Sequence, residues 1–352
     1  MKKLLNKIRR KPQVEESSRI TTETIAEHRE RVLAGGRRFK YPLQYSRHRL
    51  VFNAIIIGVA ALLLLFIIGW WQLYPAQNTS DFMYRVTRVL PVNVASVDGY
   101  PVRYSDYLMK YRSSIHYLVG KEQLNLNTED GKRQSDFVKQ REMENSVADA
   151  YAAKLAKELN LSVSDAELEA FLKLQRSSPD GEISQVTYDA VVLDYYGWSA
   201  DEYRHAMSQK LLRQKVAYAV DTKADKTVAA ITSAVSSGNT DLKAIAESVN
   251  NGNTGAQVAF ANQGWVSKKN QDGGLAEAAG KLQKGQVSAA IKATNGDGYY
   301  FVKVLDINDT QVNYDYVHIP LSVFAEQLEK IKADGKVTEY IDIPEVDTST
   351  NQ

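Results

Sequence analysis

The chain has 352 residues, with 44 Lys and Arg against 42 Asp and Glu and no cysteine, a length that accommodates two compact domains plus accessory segments. Without thiols, disulfide frameworks, Cys-ligated zinc, iron-sulfur clusters and cysteine nucleophiles are excluded. The net charge of +2 conceals a split, because residues 1–50 hold 14 basic and 5 acidic side chains, net +9, which leaves the remainder at −7.

Within the basic segment the spacing of Ile25, Arg29 and Val32 predicts a short helix over 23–33, ended by Gly35 and Gly36. Such a segment suits adhesion to anionic lipid. Residues 50–74 carry no charge, and at 1.5 Å per residue they cover the roughly 30 Å hydrocarbon core of a bilayer. Trp70, Trp71 and Tyr74 gather at one end and Arg47, His48 and Arg49 at the other, the distribution expected of a single membrane span. A cleaved secretory signal has a shorter apolar run, closer to residue 1. The positive-inside rule then assigns 1–49 to a cytoplasmic tail and everything after residue 74 to the export side.

Beyond the span, 82–90 and 92–97 read as extended segments, and Asp98-Gly99 is a hairpin turn leading into a return strand over 100–102. Ser105 is a candidate cap for a helix with Leu108, Tyr111, Ile115 and Leu118 on one face. A long helix follows, with Met143, Val147, Tyr151, Leu155 and Leu159 every fourth residue beside Ala148, Ala152 and Ala156. Ser164 with Glu167 and Ser199 with Glu202 are capping boxes, and Gly197 ends the helix between them. The last helix of this all-α block sets Tyr203, Met207, Leu211 and Val216 along one side. At Asp221 the texture shifts to shorter elements rich in Gly, Asn and Ser. Helices over 223–237 and 241–249, a loop over 250–255, a strand around Trp265, a short helix over 275–282 and a strand over 299–305 describe an α+β module with a mainly antiparallel sheet. Strand, helix and strand candidates at 312–319, 323–333 and 337–343 precede a tail at 346–352.

The order of these elements resembles the extracytoplasmic SurA-type and PrsA-type parvulin-like chaperones. Val94-Ala95-Ser96-Val97-Asp98-Gly99-Tyr100-Pro101-Val102, the 153–168 stretch around Leu159-Asn160-Leu161 and its capped successor, and Gly197-Trp198-Ser199-Ala200-Asp201-Glu202-Tyr203 are similar to the SurA-type N-terminal domain. Gln263-Gly264-Trp265, Leu282 to Gly285 with Val287-Ser288, and Gly298-Tyr299-Tyr300-Phe301 resemble turns and the closing strand of a parvulin domain. The implied layout is an α+β protein: a basic tail (1–49), a single transmembrane helix (50–74), a mostly helical SurA-N-like chaperone domain (81–220), a parvulin-like module (221–310) and a C-terminal strand-helix-strand (311–345) that packs back on the N-terminal domain.

The resemblance implies a membrane-anchored foldase that binds unfolded, newly exported polypeptides, with Trp265, Leu275, Tyr300, Tyr203 and Met207 as candidate substrate contacts. Prolyl isomerisation requires no nucleophile, metal or cofactor, only stabilisation of the twisted amide against a barrier of about 20 kcal/mol. The parvulin pocket residues are poorly matched. Tyr300 stands where the family has its closing-strand histidine, Leu275 falls near the pocket Phe, and the first-strand His-Ile-Leu has no counterpart near 216–221. His318, in Tyr316-Val317-His318-Ile319, reads as an ordinary strand histidine after the module. The expectation is therefore an inactive isomerase module serving as a binding surface. Two alternatives stand beside it: an active peptidyl-prolyl isomerase and an envelope interaction protein that reuses the fold. The scattered histidines offer no metal spacing, and the net acidic outer part opposes nucleic-acid binding. The expected partners are unfolded chains and the lipid bilayer.

Overall fold

The computed structural model describes residues 21–40, 42–178, 181–252 and 255–344; the first 20 residues of the basic segment and the tail expected at 346–352 lie outside them. The chain divides into two units, Met1–Trp71 and Gln72–Gln352. The first holds α1 (Thr22–Lys40) and most of α2 (Pro42–Leu73). Gly35 and Gly36 do not end α1, because a mid-helix glycine weakens a helix by about 1 kcal/mol without breaking its hydrogen bonds. In α2 the stretch Arg49–Leu73 has a mean hydropathy of 3.0, and it is the one helix among the described residues long and apolar enough to cross a membrane.

The second unit opens with α3 (Asp81–Val89), then β1 (Asn93–Val97), β2 (Tyr100–Arg103) and α4 (Tyr104–Gly120). The extended segment expected at 82–90 is thus a helix. Ser80 caps it by accepting from the Met83 amide, and Met83, Tyr84 and Thr87 form its buried face. The alternation of Phe82, Tyr84 and Val86 mimics a strand in so short a segment, and tertiary packing of the inner face decides the outcome. Asp98 and Gly99 both take positive φ, 46° and 77°, as a two-residue turn between right-twisted strands requires. Ser105 is not the cap of α4. The helix starts two residues earlier than such a cap implies, at Tyr104, with Arg103 at the N-cap position and no side-chain cap bond.

Next come α5 (Glu129–Glu158), α6 (Asp165–Arg176), a short β3 (Ser177–Ser178) and β4 (Gly181–Glu182) hairpin, α7 (Gln185–Tyr196) and α8 (Ala200–Val220). Both capping boxes form, with Ser164 and Ser199 each bonded reciprocally to the Glu three residues on; each is worth about 1 kcal/mol. The Lys215 ammonium, followed by the Ser164 amide and hydroxyl, holds the Glu167 carboxyl down to about 2. Gly197 closes α7 with φ 65°. Met143, Val147 and Tyr151 of α5 are buried together with Leu108 and Tyr111 of α4 and Val94, Val97 and Val102 of the sheet. Leu159, by contrast, is exposed at the end of α5.

The remaining elements are α9 (Thr222–Ser236), α10 (Leu242–Gly252), β5 (Ala259–Ser267), α11 (Leu275–Ala279), β6 (Ile291–Lys292), β7 (Gly298–Ile307), β8 (Gln311–Pro320), α12 (Val323–Ala333) and β9 (Val337–Glu339). Part of the loop expected at 250–255 is helical, since α10 runs to Gly252. An antiparallel sheet of order β5-β8-β7-β6 carries cores on both faces. Tyr299, Phe301, Val317 and Ile319 pack with Ile231, Leu242 and Ile245 of α9 and α10. On the opposite face, Val302, Val304, Val312 and Tyr314 pack with Leu275, Ala276 and Ala279 of α11.

This sheet corrects one expectation. The 312–319 strand does not return to the N-terminal part; as β8 it is a central strand between β5 and β7. It is a continuous strand with a long register against β7, and strand partners are set by such nonlocal pairing rather than by position in the chain. What does return is α12 and β9. Leu328 and Ile341 join the core of α4 and α5, Phe324 lies 5.6 Å from Tyr151, and β9 pairs with β1. At the junction Asp221 is fully buried. Its Oδ1 accepts from the Ala224 amide at 2.8 Å, and its Oδ2 accepts from the Ser322 and Val323 amides at 2.6 and 3.0 Å, so one carboxylate caps α9 and secures the start of α12.

Candidate functional site

Two surfaces combine exposure with chemistry suited to binding polypeptide. The first lies on the helical block. Only Val192 of α7 is buried, yet the helix is largely apolar. Val186, Ala190 and Leu193 recur at i, i+4 and i+7, one face of a helix, and that face is open to solvent, with Val186 80 % and Leu193 57 % exposed. Leu174 of α6 and Ile183, just after the hairpin, are also exposed. The other side of α7 is held firmly. The Lys121 ammonium bonds Asp194 Oδ2 at 2.5 Å, the Tyr117 and Tyr195 rings stack at 6.4 Å, and the Tyr188 and Tyr203 hydroxyls share a 2.7 Å hydrogen bond. The apolar stripe is therefore a rigid display.

The second surface is an aromatic patch on the face of the sheet that α11 partly covers. Tyr300 on β7 and His318 on β8 are direct cross-strand partners. Their rings stack at 4.5 Å with 18° between planes, and Tyr316 leans in at 5.7 Å. The edge strand beside them contributes small residues, with Ala259 opposite His318 and Ala261 opposite Tyr316, so the rings are not roofed from that side. Asp297 fixes both partners. Its Oδ2 accepts from the Tyr300 hydroxyl at 2.8 Å, and its backbone carbonyl lies 3.1 Å from His318 Nε2, a contact that requires a proton on Nε2. Gly298 permits this loop to close, since a Cβ there would collide with the Ile319 carbonyl. Burial, then the hydrogen bond to Asp297, raises the Tyr300 hydroxyl above its ordinary range, so it stays neutral. The patch can stack and hydrogen-bond; it presents no poised nucleophile.

The residues singled out from sequence are distributed differently. Tyr300 is half-buried in the patch. Leu275, the first residue of α11, is buried on the same side of the sheet, packed with Val302, Val304, Val312 and Tyr314. Trp265 is 45 % exposed on edge strand β5, opposite Asn313 and next to the bulge where Gly264 takes φ 74°. Tyr203 is buried, beside a cavity of about 200 Å³ lined also by Arg176, Tyr188 and Asp189; burial, then the bond to Tyr188, raises its hydroxyl. Met207 packs half-buried against the α4–α5 core. These five residues do not form one cradle. Sequence reasoning missed the α7 stripe, although the i, i+4, i+7 pattern of Val186, Ala190 and Leu193 was present to be read. It also placed His318 after the module, where the structure puts it at the centre of the sheet.

A family model described as a SurA-like N-terminal domain matches residues 43–217. It takes in α2 and the helical block and stops near the end of α8, so the sheet of β5 to β8 lies beyond it. No curated protein and no solved structure matches the chain. Residues 43–217 therefore carry a SurA-like N-terminal domain.

Proposed function

We propose that the protein is a membrane-anchored chaperone that holds unfolded, newly exported polypeptides on the outer side of the bilayer. The observation that carries this reading is the α7 stripe. A SurA-like domain keeps Val186, Ala190 and Leu193 uncovered on a helix whose opposite side is fixed, and contiguous exposed apolar surface on a stable domain marks a site for apolar partners. Unfolded chains offer such segments without a fixed sequence. The apolar run Arg49–Leu73 supports a single span, with the basic tail on the cytoplasmic side.

The experiment is aggregation suppression by the intact protein in lipid nanodiscs, with unrelated unfolded proteins as clients. Suppression that falls several-fold in Val186→Asp combined with Leu193→Asp supports the reading. Unchanged suppression, or none in the parent protein, contradicts it.

The segment of α9 to β8 we read as a parvulin-like binding module without isomerase activity. The Tyr300–His318 stack favours a second reading, an active peptidyl-prolyl isomerase. Val317-His318-Ile319 supplies the His-Ile pair of the parvulin first strand from a strand late in the chain, and it faces the position of the closing-strand histidine. A flat pair of rings with small neighbours suits a proline ring. Acceleration of proline-peptide isomerisation by the intact protein, abolished in His318→Ala and in Tyr300→Ala, would establish that reading; no acceleration leaves a binding surface.

A further inference from the structure

We propose that the outer edge of β5 takes an extended polypeptide segment as an added strand, with bulky side chains of that segment leaning over Ala259 and Ala261 toward the rings of Tyr316 and His318. This deepens the reading of the α9 to β8 segment as a binding module and rests on it. The two edges of the sheet differ. Beyond β7, the Gly285 and Ser288 amides donate to the Val304 and Val302 carbonyls at 2.7 and 2.8 Å, and the Val304 amide donates to the Gln286 carbonyl at 3.0 Å. With β6 paired to Tyr299 and Tyr300, that edge is closed. At the other edge β5 has β8 as its one strand partner among the described residues. Its run Ala259–Ser267 holds no charged residue and no proline, the side chains that keep an edge from pairing.

The hydrogen-bond phase of the ladder identifies the open groups, because antiparallel strands turn successive residues to opposite neighbours. Val302 and Val304 face the 285–288 segment, so Tyr299 and Phe301 face β8, where they pair with Ile319 and Val317. Tyr316 and His318 then face β5, and their partners Ala261 and Ala259 face back. The backbone N–H and C=O of Phe260 and Asn262 are left pointing outward, and no described residue bonds them. Val258 points the same way and is already occupied. Its amide donates to Asn250 Oδ1 at 2.8 Å, and its carbonyl accepts from Asn250 Nδ2 at 3.0 Å. The open stretch therefore runs from Asn250's clamp to the bulge between Asn262 and Gly264. Paired donors and acceptors in that spacing fit another extended backbone, which unfolded segments offer whatever their sequence. On the ring face Ala259 and Ala261 stop at Cβ, so a bulky residue on a strand about 4.8 Å further out reaches diagonally over them to the rings.

The probe is a fluorescent, end-capped peptide of sequence Lys-Thr-Phe-Thr-Phe-Thr-Lys, and its binding to the full chain in lipid nanodiscs is read by anisotropy. Asn262→Pro removes one outward N–H and spares the bonds to β8. Asn262→Ala loses the same side-chain bond to Asp315 but keeps the N–H, so it is the comparison. Expected is binding roughly tenfold weaker in Asn262→Pro than in Asn262→Ala, the size of one lost hydrogen bond. Ala261→Lys, which charges the edge and fills the space beside the rings, should weaken binding as much at an unchanged urea midpoint. If Asn262→Pro does not fold, Ala261→Lys decides alone. Equal binding in the Pro and Ala variants, or binding untouched by Ala261→Lys, overturns the proposal. Binding lost instead in Val186→Asp combined with Leu193→Asp moves the peptide to α7; the proposal falls while the holding function stands. No peptide binding at all overturns the proposal and the module reading together, whatever the aggregation assay shows for α7. Disulfide cross-links between two Gln263→Cys chains without peptide assign the edge to a second copy and also overturn the proposal.

Discussion

The helical block and the sheet-bearing segment treat their apolar surface in opposite ways. In the α9 to β8 segment the sheet is sandwiched, with Phe301 and Ile319 under α9 and α10 and Val302 and Tyr314 under α11; the rings of Tyr300, Tyr316 and His318 remain partly open, and Trp265 is exposed on the edge strand. In the helical block α7 fully buries one residue, Val192, and leaves Val186, Ala190 and Leu193 exposed. Covering both faces of a sheet secures a fold. Leaving a helix stripe uncovered adds nothing to stability, so the stripe is the better candidate for function.

The sharpest way to break this contrast is at the joint. Asp221→Ala removes the acceptor for three amides, one buried and two partly buried, at the starts of α9 and α12 and should cost about 4 kcal/mol, read as a lower urea midpoint. Asp221→Asn, which keeps one carbonyl oxygen, should cost less. Next, Leu275→Ala tests whether the residue is core or pocket. It should lose about 3 kcal/mol while client binding per folded molecule is unchanged; a binding defect at full stability would restore the pocket reading. The charged α7 variant should show the converse, a stability change within about 0.5 kcal/mol with several-fold weaker holding.

A smaller effect concerns pH. Asp106 of α4 is hydrogen-bonded by His205 Nε2 at 3.1 Å and Gln209 Nε2 at 2.7 Å, both from α8. Burial alone would raise its carboxyl, but these bonds and the nearby charges of His205 and Lys110 outweigh burial and hold it below the ordinary range. A carboxylate lowered on folding gives stability that is fully present above the unfolded-state value of about 4 and is lost as pH falls through the folded one. Asp106→Asn should therefore flatten the acid side of the stability profile, measured as urea midpoints between neutral pH and acid, and leave its slope above neutrality unchanged.

The fold was legible at most places where the signal is local, the stop expected at Gly35-Gly36 and the cap expected at Ser105 excepted. The capping boxes at Ser164 and Ser199, the Asp98-Gly99 turn and the buried face of Met143, Val147 and Tyr151 each lie within a few residues of one another, and all are found. Legibility failed where distant partners decide. β8 is central because β5 and β7 both pair with it, which no pattern within 311–320 records. α3 is helical because its inner face packs on the core. Asp221 marks only a change of texture in the sequence, and its bonds to the start of α12 depend on residues about a hundred positions away. The candidate site suffered the same way. Tyr300 and His318 come together only through strand pairing, and the burial of Leu275 depends on α11 packing against β7 and β8.

The central claim is that the uncovered face of α7 holds unfolded exported chains. A photo-reactive residue at Leu193, with one at Thr187 on the same helix as comparison, tests it in living cells during export of a slow-folding protein. The account predicts cross-links from Leu193 to many nascent exported chains and far fewer from Thr187. Cross-links from Leu193 to one folded partner, or to none, would contradict it.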